Sequence, residues 1–471
     1  MINKKKRCIT FFSFLLLTIF ICNISAQTAG QEKLLKVNLE KCIELTLQNN
    51  NSYNYYNYAE KTAEAQLRQA QSGKYPSLDF SASYTRIDED PYYVVPEFKM
   101  EIPAISLGSL STPALTMPVP QQNVKLADKQ NFQTSFDLTW AIYTGGKISS
   151  YVEQAETGIA IAKSDSRINK DQIIYETKKL YYSILLASKL EEIANDTRDK
   201  LETTLSVTES LYKNGSGRVT KTDYLKNKMM VEVVKTLCEQ ISGEKKSAVA
   251  ALINTMGLEW QTQIELLDSE IPFVVNNEPL EGLINKLYDS NPMFSKMDNA
   301  LNIYQLKIDE AKSDYYPSVG LIGGFYKSFN KYGYGIVCPQ NRNIWMIGLG
   351  MKLSIFNGFL TSAKVEENKS EFDKLSQQKE TLKKGLTLKL QYVYQKMSTA
   401  AAKEISSKEA MNSAIENREL IEKAYFNDIM ELEDLLQAQL TEAFLEAQYQ
   451  TVLFEHADYS AQLENLLSQN K

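Results

Sequence analysis

Three carboxylates, Glu431, Glu433 and Asp434, stand within four residues of one another near the C-terminal end of a 471-residue chain. Like charges at that spacing repel, and such a cluster attracts cations. Catalysis would need partners of other types, and the chain offers few. Its single histidine, His456, has no cysteine and no hydroxyl nucleophile motif beside it, which points to a surface or interface role rather than catalysis. Cys42, Cys238 and Cys338 are widely spaced with no histidine near them, so they read as packed thiols, not as a metal site or a disulfide framework. In GGKIS at 145–149, Ile148 stands where a phosphate loop needs a hydroxyl, and Ala141 where it needs its first glycine. The Gly-x-Gly of NGSG at 214–217 follows no strand, so it carries no nucleotide signal. No catalytic residue, cofactor or metal is expected, and the chain does not read as an enzyme.

The elements that must position those acids can be read from charge, proline and hydrophobic spacing. Residues 1–26 combine a basic start (Lys4 to Arg7), an apolar run from Cys8 to Cys22 and a small-residue exit at Ser25 and Ala26. That is the pattern of a secretory signal cleaved after Ala26, and bulky Ile21 argues against a lipid anchor on Cys22. Without those four cations the formal charge falls from -6 to -10 over the remaining 445 residues, and no basic run is left to track phosphates. Nucleic acid is therefore excluded as a partner. No later stretch has the 18 or so uninterrupted apolar residues of a membrane helix, so any passage through lipid must use strands.

All twelve prolines fall between 76 and 120 or between 272 and 339, which leaves 121–271 and 340–471 free to form long helices. From Thr361 to Phe426 an apolar stripe (Val365, Phe372, Leu375, Leu382, Leu386, Val393, Met397, Ala400) advances in steps of three, four or seven. This predicts a coiled-coil-like rod about 100 Å long. Four shorter stretches alternate instead, at 78–85, 131–142, 345–355 and, more weakly, 319–325, with Asp137 and Lys352 on the polar side. Four strands cannot close a barrel, and lipid tolerates no open edge, so several copies must pool their strands. The segment 89–130 carries six prolines and is expected to be an exposed loop without helical or strand period.

The same parts occur twice. KYPSLDFSASY (74–84) returns as YYPSVGLIGGFYK (315–327), the turn YTGG (143–146) as FNGF (356–359), and the break LYKNGSGRVTKTDYLKNK (211–228) as AYFNDIMELEDLLQAQ (424–439). The reading is an α+β, mainly α chain built from two internal repeats, 27–258 and 278–471, joined by 259–277. Each repeat holds a helix, a strand pair (about 78–88 with 131–142, and about 318–327 with 343–356), a long helix and a return helix.

With its opening helices LEKCIELTLQNN (39–50) and LINKLYDSNPMF (283–294), this order of motifs resembles the TolC-type outer-membrane efflux proteins over essentially the whole mature chain. The resemblance implies a homotrimer in outer-membrane lipid, with one transmembrane β-barrel shared between three chains and a long helical barrel reaching through the periplasm. It implies a periplasmic adaptor (membrane fusion) protein and an inner-membrane pump as partners. The function implied is the exit duct of a tripartite efflux or type I secretion system, for small molecules or proteins. A trimeric coiled-coil surface adhesin is the alternative, but it would place its strands at one chain end. The resemblance also implies a periplasmic gate at Tyr425, Asp434, Thr222 and Asp223, beside Glu431 and Glu433. A Tyr425 hydroxyl link to Asp223 would hold it shut, with Met430 where relatives carry arginine and Gln437 where they carry a second aspartate.

Overall fold

The structure, a computed structural model, describes residues 34–126, 129–215, 217–275, 278–329 and 343–468; the signal at 1–26 and Cys338 lie outside them. Proline and glycine mark where the elements change. Helix α1 (Leu39–Asn49, 11 residues) is capped by Asn38, whose side chain accepts from the Lys41 amide, and α2 (Asn51–Ser72, 22 residues) follows. Strand β2 (Ser77–Arg86) begins directly after Pro76. Strand β9 (Gln130–Tyr143) then leads through YTGG into α3 (Lys147–Lys213, 67 residues) and α4 (Lys221–Thr255, 35 residues). The lengths then recur in the same order. Helices α5 (Leu280–Ser290, 11 residues) and α6 (Pro292–Ser313, 22 residues) precede β11 (Ser318–Ser328) and β12 (Asn343–Lys352). Helices α7 (Leu360–Phe426, 67 residues) and α8 (Leu432–Leu466, 35 residues) follow them. Among the described residues no helix is long and apolar enough to cross a membrane.

The chain divides into two compact units. One comprises Tyr56–Ser166 and Pro292–Lys384 and carries a four-stranded antiparallel sheet of order β12-β11-β9-β2. Its register sets Leu78 opposite Leu138, Phe80 opposite Phe136, Leu321 opposite Leu349 and Phe325 opposite Trp345, so one face is continuously apolar. That face is exposed, with Leu349 at 70% and Met351 at 71%. The other face is polar on β2 and β9 and mixes glycine with Ile322, Ile344 and Met346 on β11 and β12. Ser81 and Ser135 share a 2.8 Å hydrogen bond, Ser135 donates to Asp137 Oδ2, and the Tyr326 hydroxyl donates to Asp137 Oδ1 at 2.8 Å. Gly324 pairs with Asp137 beneath that tyrosine ring; a Cβ on it would lie 2.5 Å from Tyr326 Cε2, so only glycine lets the ring reach the carboxylate. The YTGG turn depends on glycine too. Gly145 has φ of 63°, and a Cβ there would sit 2.6 Å from the Ser313 carbonyl oxygen.

The segment 89–130 corrects the expectation of a loop without strand period. It is a two-stranded ribbon in three ladders: β3 (Tyr92–Val95) with β8 (Gln122–Lys125), β4 (Phe98–Ile102) with β7 (Leu115–Val119), and β5 (Ser106–Leu107) with β6 (Leu110–Ser111). A two-stranded ribbon is all edge, so proline can sit where no ladder hydrogen bond is needed. Pro118 pairs with Lys99 inside a ladder. Pro96 with Pro120, and Pro103 with Pro113, interrupt both arms between ladders.

The second unit takes the described residues up to Tyr55, Arg167–Asn291 and those from Gly385 onward. A short parallel pair, β1 (Leu35–Val37) with β10 (Ile264–Leu266), lies over a core of Val37, Cys42, Tyr181, Leu185, Leu252, Met256 and Ile271. Burial, reinforced by Asp268, pushes the Cys42 thiol up to about 12, and Cys238 is also a buried free thiol. His456 belongs to this unit's interior, not to its surface or an interface. It is 1% exposed, its ring centroid lies 4.4 Å from that of Phe273, and neither ring nitrogen has a hydrogen-bond partner. Helix α8 buries residues on several sides, so no single polar stripe was available to hold the imidazole outside.

Burial lowers the affinity of His456 for a proton. The folded state therefore keeps it neutral, and its contribution to stability is lost as pH falls below the ordinary imidazole range near 6.5. The protein should lose melting temperature between pH 7.5 and 5, and His456→Phe should lose less over the same interval. Parallel losses in the two proteins, followed by circular dichroism in detergent, would assign the acid sensitivity elsewhere.

Candidate functional site at the helix returns

Both long helices of each half meet at a short return, and the two returns lie within one unit. In the first, Gly215 (φ 65°) and Gly217 (φ 70°) reverse the chain after α3. Thr220 then starts α4 with a reciprocal cap. Its Oγ1 accepts from the Asp223 amide at 3.2 Å, while Asp223 Oδ2 accepts from the Thr220 amide at 2.9 Å and from its hydroxyl at 2.6 Å. These bonds hold the Asp223 carboxyl below the usual carboxylate range. In the second return, Asp428 takes φ of 62°, and the Ile429 amide donates to the Ala424 carbonyl at 2.9 Å, closing the end of α7. Asp434 Oδ2 then accepts from the Glu431 amide at 3.3 Å at the start of α8.

Arg218 joins the two returns. Its guanidinium lies 5.1 Å from the Tyr425 ring centroid, donates from Nη2 to the Tyr425 carbonyl oxygen, and pairs through Nη1 with Asp428. A fork of fixed donors over an aromatic face can make all three contacts at once, which lysine could not. Lys226 adds a 2.9 Å ion pair to Glu433. Beneath the clasp, Tyr425 is 3% exposed among Val231, Val234, Leu432, Leu435 and Leu436.

The structure brings all six residues to the helix returns: Tyr425 is buried there, Asp223 half-buried, and Thr222, Glu431, Glu433 and Asp434 exposed. It does not make the Tyr425–Asp223 link within the chain. Asp223 is committed to Thr220, and the Tyr425 hydroxyl is buried with no hydrogen-bond partner. The residue that sequence reasoning missed is Arg218. Its one signal was the absence of an arginine at Met430, since a cation lost from one return can be supplied by the other.

Further along the helices, Glu442, whose side chain is 4% exposed, binds three elements together. Arg418 of α7 reaches it at 2.8 Å through Nε and 3.2 Å through Nη2, and Lys200 of α3 at 3.3 Å. The carboxyl of Glu446, one turn on, is raised by burial and by Glu442. Between α4 and α8, Met229, Met230, Leu432, Leu436, Leu440 and Phe444 line a groove of about 490 Å³.

A sequence model for outer membrane efflux proteins matches residues 42–258. No curated protein matches the chain. Among solved structures, a membrane protein from Pseudomonas aeruginosa superimposes with a TM-score of 0.74 at 18% identity, over 91% of this chain and 92% of that one. The CmeC outer membrane channel of Campylobacter jejuni gives 0.72 at 16%, over 92% and 85%. The outer membrane protein VceC of Vibrio cholerae gives 0.71 at 15%, over 91% and 96%. At these identities the likeness is one of fold.

The clasp makes a prediction opposite to the tyrosine link. Arg218→Ala removes the ring contact, the carbonyl bond and the ion pair together, and amide exchange at Asp428 and Ile429 should quicken about tenfold, the effect of roughly 1.4 kcal/mol. Tyr425→Phe removes a hydroxyl that bonds to nothing and should leave those rates within about twofold. Equal acceleration in the two variants, read by hydrogen-exchange mass spectrometry, would return the closing role to the hydroxyl.

Proposed function

We propose that this chain, whose residues 42–258 match the outer membrane efflux protein model, forms, as a homotrimer, the exit duct of an efflux or secretion assembly. The observation that carries this reading is the sheet. Its four strands end at two unpaired edges, β2 and β12, and one face exposes Leu78, Phe80, Trp345, Ile347, Leu349 and Met351. Hydrocarbon accepts that face and rejects those edges, since an unpaired peptide group in lipid costs several kcal/mol. Three copies supply twelve strands, each β2 pairing with the β12 of its neighbour, and the polar Ser81, Ser135, Asp137 and Tyr326 then line a wet interior.

The recurrent helix series of 11, 22, 67 and 35 residues supports two internal repeats, 27–258 and 278–471 around the 259–277 connection, and so four long helices per copy. Twelve of them form the periplasmic tunnel, which narrows at the helix returns. There the adaptor protein and the inner-membrane pump engage, and cargo, whether small molecules or proteins, passes outward. In this reading the returns are the gate. Arg218 clasps the two returns of each copy, and Glu431, Glu433 and Asp434 of three copies surround the mouth with acid.

Two experiments test the assembly and the mouth separately. The protein should leave outer membranes as a heat-modifiable trimer, and Leu349→Asp should abolish it, because the charge enters hydrocarbon at a cost of up to about 4 kcal/mol. Asp137→Asn, on the polar face, should still assemble. A folded monomer in detergent, or equal behaviour of the two variants, contradicts the shared barrel. In planar bilayers the channel should prefer cations, and Glu431→Gln, Glu433→Gln and Asp434→Asn together should reduce that preference; unchanged selectivity would place the selecting charges elsewhere.

A further inference from the structure

The ribbon between β2 and β9 has one face that nothing in the chain's described residues covers. The β4–β7 register sets Phe98 opposite Val119, Met100 opposite Met117 and Ile102 opposite Leu115, while Lys99, Glu101, Thr116 and Pro118 take the other face. Five of the six apolar side chains are exposed, Leu115 at 54%, and at the tip Leu107 and Leu110 reach 78%. An isolated two-stranded ribbon is marginal in water, so an apolar face of this length needs a partner.

A lipid surface fits poorly. Cations belong where a ribbon meets anionic headgroups, yet the apolar face of β4 and β7 carries none, Lys99 lies on the other face, and at the base Lys125 is paired with Asp90. A second copy of the chain fits well. The ribbon grows out of β2, the strand at the free edge of the sheet, so it starts at the boundary where the next copy must pair. From Tyr92 to Gly108 it spans roughly 50 Å at about 3.3 Å per residue. Twelve strands about 4.8 Å apart, tilted by about 40°, close at a diameter on the order of 25 Å. Each ribbon is thus long enough to meet the others above the opening.

We propose that the Phe98, Met100, Ile102, Leu115, Met117 and Val119 faces of the three ribbons pack on one another and cap the outer mouth of the barrel. The proposal rests on the trimer argued above. Paired prolines between the ladders leave the ribbons hinged there, able to part when cargo leaves.

A photo-crosslinking residue at Met100 or Met117 of the full chain, irradiated in intact cells, should yield bands at two and three chain masses after boiling. The same residue at Lys99 or Glu101 should yield at least fivefold less. The heat-modifiable trimer on unboiled gels, measured on the same samples, separates the two readings. Trimer without chain-to-chain crosslinks from Met100 and Met117 overturns the cap and leaves the shared barrel standing, whereas absence of trimer overturns the barrel itself. Equal yields from both faces, a crosslink without change of mass, or crosslinks only to lipid or to another protein would also refute the cap.

Discussion

A peptide group in hydrocarbon has no water to fall back on, and this constraint governs everything else in the molecule. The β12-β11-β9-β2 sheet satisfies its inner strands and leaves the outer two half satisfied. It also exposes an unbroken apolar face, which in water would be an aggregation hazard. The shared barrel proposed above would remove both defects in one event, closure with further copies in lipid. The glycines of the polar face serve that event as well. Without a side chain at Gly324 the Tyr326 ring lies flat enough to bond Asp137, so this face of the sheet carries a hydrogen-bonded network.

The helix returns solve a different problem. Two helix returns must stay together although 207 residues separate Arg218 from Tyr425. Local caps finish each helix but cannot join the returns. A single guanidinium does so through three contacts of different kinds, and the Glu442 network ties three of the four long helices together farther along. Buried ion pairs of this sort add little net stability against an apolar alternative, but losing one partner strands a charge.

Much of this was legible in the sequence, for identifiable reasons. Alternation at 131–142 survives as β9 because one face is apolar at every position but Thr134, and Pro76 and Pro317 mark where helix must yield to strand. The ribbon was illegible because its prolines resemble loop punctuation; that they pair across two arms is a tertiary fact. His456 was misplaced because α8 is apolar on several sides, so periodicity could not tell an inner from an outer position. Within one chain the Tyr425–Asp223 link is not made, for a more local reason: Asp223 lies three residues after Thr220, and a helix start competes for its carboxylate before any distant hydroxyl can. Arg218 lies between glycines and threonine in a stretch that reads as a turn, and nothing short of the folded chain brings it to Tyr425.

The equality of the two 67-residue helices, α3 and α7, limits how this protein can change. One residue added to α3 alone would advance its return by about 1.5 Å and rotate it by about 100°. Arg218 would then face away from a Tyr425 that had not moved. Length can therefore be altered safely only by matched changes in both halves, like the two legs of one ladder. The ribbon, which joins two strands at its base and bears on no helix alignment, is free to lengthen or shorten by itself. Variation in this architecture should accordingly collect in the ribbon, while the two 67-residue helices keep equal lengths.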